Sequence, residues 1–245
     1  RITILQGAFL PVPALRGGAV EKMWFELGKQ FSQQGHSVCH VSRRFPGLPD
    51  HETIEGVRHV RVKGFDTPSN GIHLKALDLV YSLRALKALP PADILITNTF
   101  WMPILASLCQ HQVGEIMVDV QRMPKGQMRF YGRAACLRAN SGSVHAAITR
   151  EAPQLACRIR TIPNPLPFLP PAELHQQRAK VILYCGRLHP EKGIALMIKA
   201  FALACEQGLS GWSLRLVGPA DTAAGGGGQS WLEGLLAAPK AASLP

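Results

Sequence analysis

The sequence predicts an α/β protein whose doubly wound, parallel sheets are covered by helices on both faces. Short apolar runs rich in β-branched residues alternate with longer segments whose apolar residues recur every three or four positions. The run at 181–185 leads through a short loop directly into such a helical pattern. Strands that alternate with helices form parallel sheets, because the crossover helices pack on the sheet faces.

The composition is that of a globular protein with a basic surface. Of the 245 residues, 47% are hydrophobic and 18% are charged, and the formal net charge is +11. No apolar run reaches the ~18 residues of a membrane-spanning helix. The positive charge is spread along the chain, without a zinc finger or an aromatic–basic RNA-binding signature. These features exclude nucleic acid as the expected partner and favour sugar nucleotides or an anionic membrane surface.

Cysteine and histidine usage argues against a metal centre. The six cysteines lie far apart with no C-x-x-C pair, and the nine histidines form no H-E-x-x-H motif. Free, buried thiols in a reducing cytosol are the simplest interpretation. We therefore expect no metal site and a cytoplasmic protein.

The first half of the chain begins with a strand at 2–6. A helix follows and ends at Gly35, a residue type that commonly terminates helices. A second strand at 37–42 completes a βαβ unit, and residues 53–62 predict a hairpin.

The alternation continues to residue 149. Further predicted strands lie at 93–97, 115–120 and 145–149, and predicted helices lie at 73–89 and 103–110. The basic side chains of the helix at 73–89 would touch a membrane surface or form the solvated edge of a packed helix.

A proline-dense segment at 163–171 marks the predicted linker between two domains, because neither a helix nor a central strand tolerates so many prolines. One βαβ unit follows, with strands at 181–185 and 213–217 around a helix at 193–207. Four glycines at 225–228 then interrupt the pattern, and only a short apolar turn is expected after them.

Arg187 and Lys192 are the clearest candidate binding residues. They lie between a strand and a helix, where open α/β sheets bind ligands and where a helix N-terminus favours anions. A diphosphate would fit such a site. The alternative is that both are ordinary solvated surface cations.

Three segments resemble the retaining GT-B glycosyltransferases of the large family-four group. They are the Tyr-Cys-Gly-Arg-Leu-His-Pro-Glu-Lys-Gly loop at 184–193, the Arg-Gly-Gly-Ala-Val-Glu loop at 16–21 and the Ile-Pro-Asn-Pro segment at 162–165. Their order and spacing are similar to those of the family. The resemblance implies an N-terminal, acceptor-side Rossmann-like domain at 1–165 and a partial nucleotide-sugar-binding domain at 166–245.

The resemblance also implies a reaction. A sugar would pass from a nucleotide-diphosphate-sugar donor to a carbohydrate or lipid-linked acceptor, with retention at the anomeric carbon and without a metal or other cofactor. Arg187 and Lys192 would neutralise the departing diphosphate, with Gly17 and Gly18 close to it. No catalytic nucleophile is identified.

Other cleft residues are less well defined. Asn98 stands where the family often carries a His, and an amide can bind a sugar hydroxyl but cannot act as a base. Arg122 and Lys125 belong to a second cationic loop, which would either line the cleft or lie on the surface.

One family motif is absent. The family's second domain carries a Glu-x7-Glu pair, whereas the acidic residues after position 206 are Asp221 and Glu233. We expect from this that the chain stops partway through its second domain and is inactive as given. Two alternatives remain: a sugar-nucleotide epimerase of the same architecture, and a non-catalytic fragment or binding module. A lipid-linked acceptor would bring peripheral contact with the inner membrane face.

Overall fold

The computed structural model describes residues 1–68, 70–166 and 178–241. The chain divides into two compact units, Arg1–Leu169 and Pro170–Pro245. The predicted domain boundary at 165/166 stays a prediction, and much of the proline-dense segment lies outside the described residues.

The first unit is built on one eight-stranded sheet with the order β3-β4-β2-β1-β5-β6-β7-β8. The strands are β1 (Ile2–Leu5), β2 (Val38–Arg43), β3 (His51–Ile54), β4 (Val57–Val62), β5 (Ile94–Thr97), β6 (Glu115–Val120), β7 (Cys136–Ala139) and β8 (Ile159–Thr161). Only β3 runs antiparallel to its neighbour; the other pairs are parallel.

Five α-helices accompany this sheet among the described residues. They are α1 (Ala19–Gln33), α2 (Gly71–Ala88), α3 (Met102–Ala106), α4 (Gln110–Val113) and α5 (Gly142–Glu151). Neighbouring residues of β1 lie in different cores: Ile4 packs with Trp24 of α1, whereas Leu5 packs with Tyr81 of α2. Both sheet faces are therefore covered, as the sequence predicts for parallel strands.

The predicted hairpin is confirmed. β3 and β4 pair in antiparallel register, and the turn between them places Glu55 at φ 46° and Gly56 at φ 82°. Two consecutive positive φ angles define the turn that matches the twist of paired strands, and glycine adopts one of them without steric cost.

The predicted strand at 145–149 is wrong. These residues belong to α5, whose N-terminus is capped by the Ser141 hydroxyl accepting the Val144 N–H at 3.3 Å. Val144 and Ile148 lie four residues apart and are both buried, which is helical spacing. A short apolar run does not distinguish a strand from a buried helix face. The two strands β7 and β8, which flank this helix, were missed.

The predicted helix at 103–110 is in fact two short helices. Ser107 follows α3 and its hydroxyl donates to the Ile104 carbonyl at 2.7 Å. Cys109 then leaves helical geometry at φ −127° before α4 begins. Leu108 between them is 76% exposed, so no core contact favours a continuous helix there.

The second unit contains two parallel strands, β9 (Val181–Cys185) and β10 (Ser213–Val217), in its described residues. α6 (Ile194–Glu206) connects them, and α7 (Gln229–Ala241) follows β10. Ile194, Ile198 and Leu235 form the centre of a small core. The expectation of only a short apolar turn after the glycines is wrong, since α7 packs into this core through Leu235.

Candidate functional site

The loop between β9 and α6 carries the two predicted diphosphate-binding cations. Arg187 donates from Nη1 to the Gly225 carbonyl at 2.8 Å, and its Nη2 lies 2.6 Å from Glu191 Oε1. Lys192 Nζ lies 3.8 Å from the same oxygen. Both cations remain about half exposed, so a ligand can reach them.

The N-terminus of α6 lies in the same loop. Gly193 precedes the helix in the left-handed conformation, at φ 67°, and no side chain in the described part of the chain caps the helix. Uncapped N–H groups at a helix N-terminus point at an incoming anion and carry the positive end of the helix dipole. The structure thus brings Arg187, Lys192 and a helix N-terminus together within one loop.

The carboxylate of Glu191 pairs with both cations. It is 52% exposed, and exposed ion pairs contribute only about 0–1 kcal/mol. A diphosphate carries more negative charge than one carboxylate and can form several charge-assisted hydrogen bonds. Glu191 therefore neutralises part of the positive charge of the loop without blocking access to the two cations.

A glycine-rich loop after β10 supports the cationic loop. The Gly227 N–H donates to the Leu188 carbonyl at 2.8 Å, and the Leu188 N–H donates to the Pro219 carbonyl at 2.9 Å. A side chain at Gly218 would collide with the Gly186 carbonyl, and one at Gly226 would collide with the Ala220 backbone. Sequence reasoning treated the glycines at 225–228 as an interruption of the pattern, although glycines after a strand often mark a close backbone approach.

In the first unit, Gly17 and Gly18 immediately precede α1. Their φ angles of 76° and 104° lie in the region that favours glycine. A side chain at Gly18 would also collide with the Glu21 carboxylate. Both glycines are therefore required by the backbone itself, whatever the loop binds.

Glu21 is a residue that sequence reasoning quoted only as part of a motif. It lies in the first turn of α1 and is 8% exposed. Burial raises the pKa of its carboxyl, while its own backbone N–H and the charge of Arg122 oppose the shift. An acidic residue in the first helical turn, three positions after a Gly-Gly pair, was the signal that could have singled it out.

The predicted cleft residues Asn98, Arg122 and Lys125 all follow strands of the first unit. Asn98 comes directly after β5 and donates from Nδ2 to Gln6 Oε1 at 3.3 Å. Arg122 and Lys125 are exposed in the loop after β6. That loop is held by Glu151, whose carboxylate accepts the N–H groups of Gly126 and Met128.

A buried polar network extends this edge of the sheet. Arg138 of β7 and Asp119 of β6 form a buried ion pair at 2.7 Å, and Trp24 donates to the same carboxylate at 2.6 Å. The second amino group of Arg138 donates to Asn164 Oδ1 at 2.8 Å and to the Pro163 carbonyl at 2.9 Å. The pairing links residues far apart in sequence, so no local signal revealed it.

Within the described residues, no cluster of three or more His, Cys, Asp or Glu side chains has the arrangement of a metal site. No helix of the described part is long and apolar enough to cross a membrane.

Part of the chain is similar to a known family. Residues 167–240 match the family model described as glycosyl transferases group 1. A sucrose-phosphate synthase from Thermosynechococcus elongatus superposes with a TM-score of 0.73 at 19% identity, covering 100% of this chain and 68% of that one. The chain has the GT-B glycosyltransferase fold.

Two further GT-B structures are similar. A UDP-forming α,α-trehalose-phosphate synthase from Burkholderia xenovorans gives a TM-score of 0.61 at 9% identity, covering 99% of this chain and 68% of that chain. The lipopolysaccharide outer core galactosyltransferase WaaB gives 0.58 at 15% identity, covering 99% and 65%. No curated protein sequence matches the chain significantly.

These comparisons confirm the predicted GT-B fold, and the chain spans 65–68% of the length of the three structures. The family match covers residues 167–240, and the structural likeness, at 9–19% identity, shows the fold.

Proposed function

We propose that this GT-B protein transfers a sugar from a nucleotide-diphosphate-sugar donor to a carbohydrate or lipid-linked acceptor, with retention at the anomeric carbon. The observation that carries the proposal is the loop after β9, where Arg187, Lys192 and the N-terminus of α6 come together. Such a combination suits an anion with two phosphate groups.

In this proposal the second unit binds the donor. The guanidinium of Arg187 and the ammonium of Lys192 would exchange Glu191 for phosphate oxygens. Negative charge accumulates on the diphosphate as the glycosidic bond to it breaks, so two fixed cations stabilise the departing group more than the bound donor. The two residues would thereby supply the charge neutralisation, and no metal is invoked.

The first unit would bind the acceptor at the carboxyl ends of its strands. Asn98 offers an amide to a sugar hydroxyl of the acceptor. Gly17 and Gly18, which allow close backbone approach, would lie close to the diphosphate of the donor. The proposal places the reaction in the cytoplasm, with peripheral membrane contact if the acceptor is lipid-linked.

Binding of nucleoside diphosphates by calorimetry tests the donor assignment. Uridine, guanosine and adenosine diphosphates are titrated into the chain, into Arg187→Ala and into Lys192→Ala. Each lost charge-assisted hydrogen bond is worth about 1.5–3 kcal/mol, so each variant should bind the preferred nucleotide roughly ten- to a hundred-fold more weakly.

Lys199→Ala is the matched control, because Lys199 is an exposed cation on α6 itself. It should bind as the parent chain does. Equal affinity in the parent chain and in both loop variants would overturn the donor assignment.

A further inference from the structure

The positive charge of the chain is concentrated in one segment of the first unit, contrary to the even spread that the sequence suggested. Residues 121–160 contain eight arginine and lysine residues but one acidic residue, Glu151, so they carry a net charge of +7 in a chain whose net charge is +11. The Glu151 carboxylate accepts the backbone N–H groups of Gly126 and Met128. Of the eight cations, only Arg138 forms an ion pair within the described residues. The other seven are exposed and therefore accessible to an anionic partner.

Four of these exposed arginines lie at the amino ends of β7 and β8. They are Arg129, Arg133, Arg158 and Arg160. Because the strands from β5 to β8 are parallel, this edge of the sheet lies opposite their carboxyl ends, where Asn98 follows β5. The arginine cluster is therefore separate from the residue assigned to the sugar acceptor.

Backbone carbonyls hold the four guanidinium groups in place. The acceptors, at 2.8–3.0 Å, are the carbonyls of Gly126 for Arg129, Ser107 for Arg133, Gly132 and Ala134 for Arg158, and Cys157 and Ile159 for Arg160. The two acceptors of Arg158 flank Arg133, so the cluster is continuous. Each guanidinium has five N–H donors, and those that remain free can bind a phosphate group. A side chain that is already ordered loses less conformational entropy when it does so.

Two large apolar side chains are exposed beside these arginines. Phe130 is 56% exposed, and the guanidinium of Arg129 lies 5.3 Å from the centroid of its ring. Leu108 is 76% exposed and directly follows Ser107, whose carbonyl accepts the hydrogen bond from Arg133. Apolar side chains that enter the headgroup region, together with cations that attract anionic lipids, are what holds a peripheral protein on a bilayer.

We propose that the first unit binds an anionic phospholipid surface through this edge, with Leu108 and Phe130 entering the headgroup region and the four arginines contacting lipid phosphates. The exposed leucine favours a bilayer over nucleic acid, because bases stack on aromatic rings and guanidinium groups. The sequence suggested α2 as the membrane contact, but α2 carries three basic residues and one acidic residue and attracts an anionic surface less. The proposal depends on the first unit alone and not on the proposed function.

Sedimentation of the whole chain with lipid vesicles tests the proposal. The chain should bind vesicles of phosphatidylglycerol and phosphatidylcholine, and far less to vesicles of phosphatidylcholine alone. Added salt should weaken the binding, because salt screens exposed charges. Each basic residue near an anionic surface strengthens binding roughly five-fold, so Arg129→Gln combined with Arg133→Gln should weaken it by roughly twenty-five-fold. Phe130→Ser leaves the charge unchanged and should weaken it roughly ten-fold.

Matched controls change the opposite edge of the same sheet. Lys63→Gln combined with Lys75→Gln removes two exposed cations, one directly after β4 and one in the first half of α2. Ile72→Ser removes an apolar side chain that is 82% exposed in the first turn of α2. Both controls should bind vesicles as the parent chain does. All of the substituted side chains are largely exposed or lie on the surface, so the urea midpoints of the variants should be close to that of the parent chain.

Several results would overturn the proposal. They are unchanged vesicle binding in the double arginine variant and in Phe130→Ser, equal loss of binding in the controls, and equal binding to vesicles with and without phosphatidylglycerol. A single-stranded oligonucleotide that binds more tightly than the vesicles, and whose binding the same arginines carry, would make this edge a nucleic-acid surface instead. Uridine diphosphate titrated into the edge variants should bind as it does to the parent chain, and its failure to bind the parent chain would overturn only the donor assignment.

Discussion

Arg138 illustrates how strongly one buried charge can depend on its partners. Its guanidinium is 3% exposed and pairs with the fully buried carboxylate of Asp119. Arg138→Met leaves that carboxylate without its counter-charge, and breaking a buried pair in this way costs about 3–5 kcal/mol. Urea unfolding should show this loss of stability. The control Arg133→Met, at an exposed position, should have a free energy of unfolding within ~0.5 kcal/mol of that of the parent chain. If Asp119→Leu combined with Arg138→Met is no more stable than Arg138→Met alone, the unpaired carboxylate is not the cause.

Two stacked histidines make stability depend on pH. His40 and His59 face each other across β2 and β4 with ring centroids 5.4 Å apart, and no hydrogen bond reaches their ring nitrogens in the described structure. Burial lowers the pKa of His59 to about 4 and lowers that of His40 well below its usual range; for both residues the charge of Arg61 acts in the same direction, and Glu52 opposes it at His59.

The unfolded chain therefore binds more protons than the folded chain below pH 6.5, and stability falls as the pH decreases towards 4. From His59 alone the loss at pH 5 is about 2 kcal/mol. Asp78, whose pKa burial raises to about 6, acts in the opposite sense, so the comparison must be made against a variant. His59→Phe should gain about 2 kcal/mol relative to the parent chain between pH 7 and pH 5 in urea unfolding. An identical pH dependence in the two proteins would contradict this.

At the scale of elements, long periodic segments were predictable, and short apolar segments were predictable only where turn residues flank them. α1, α2 and the strands from β1 to β6 lie within a few residues of their predicted positions, because periodicity or flanking turn residues define them. The segment at 145–149 has neither of these signals. It is helical because its buried face packs against the core and Ser141 caps the helix. The cationic loop after β9 and the glycine-rich loop after β10 are separated by about thirty residues of sequence. Their contact could therefore not be predicted.

The glycines of the second unit provide a matched test of this contact. Gly218→Ala places a side chain against the Gly186 carbonyl at a backbone φ of 152°, and should destabilise the unit by more than ~1 kcal/mol. Gly234→Ala, at an open and exposed position within α7, should instead stabilise it by up to about 1 kcal/mol, because alanine favours helix. Thermal unfolding measures both. Equal changes of the unfolding temperature in the two variants would mean that the close approach of the loops does not contribute to stability.

For the molecule as a whole, the sequence predicted the two-part α/β organisation and the GT-B fold. It also placed Arg187 and Lys192 in one loop, where the structure has them. Two features of the first unit could not be predicted because they depend on tertiary structure: the Asp119–Arg138 ion pair and the His40–His59 stack. Each joins residues from different strands, and only a known sheet order brings them together.

The two units differ in how completely their sheets are covered. Both faces of the first sheet carry buried clusters. Among the described residues of the second unit, only the face of β9 and β10 with Tyr184, Leu214 and Leu216 packs against the core. Leu183 and Val217 on the other face are 61% and 46% exposed. Exposed apolar strands with open edges favour association between chains.

The chain as given should therefore associate through its second unit. Leu183→Lys should reduce this association, because a charge on an exposed strand opposes edge pairing and the lost side chain supports no buried core. Light scattering on heating should show less association in the variant, with an unfolding midpoint in urea close to that of the parent chain. Leu5→Lys, at a fully buried position of the first sheet, should instead prevent stable folding. If Leu183→Lys scatters as much as the parent chain, this exposed face is not what drives association.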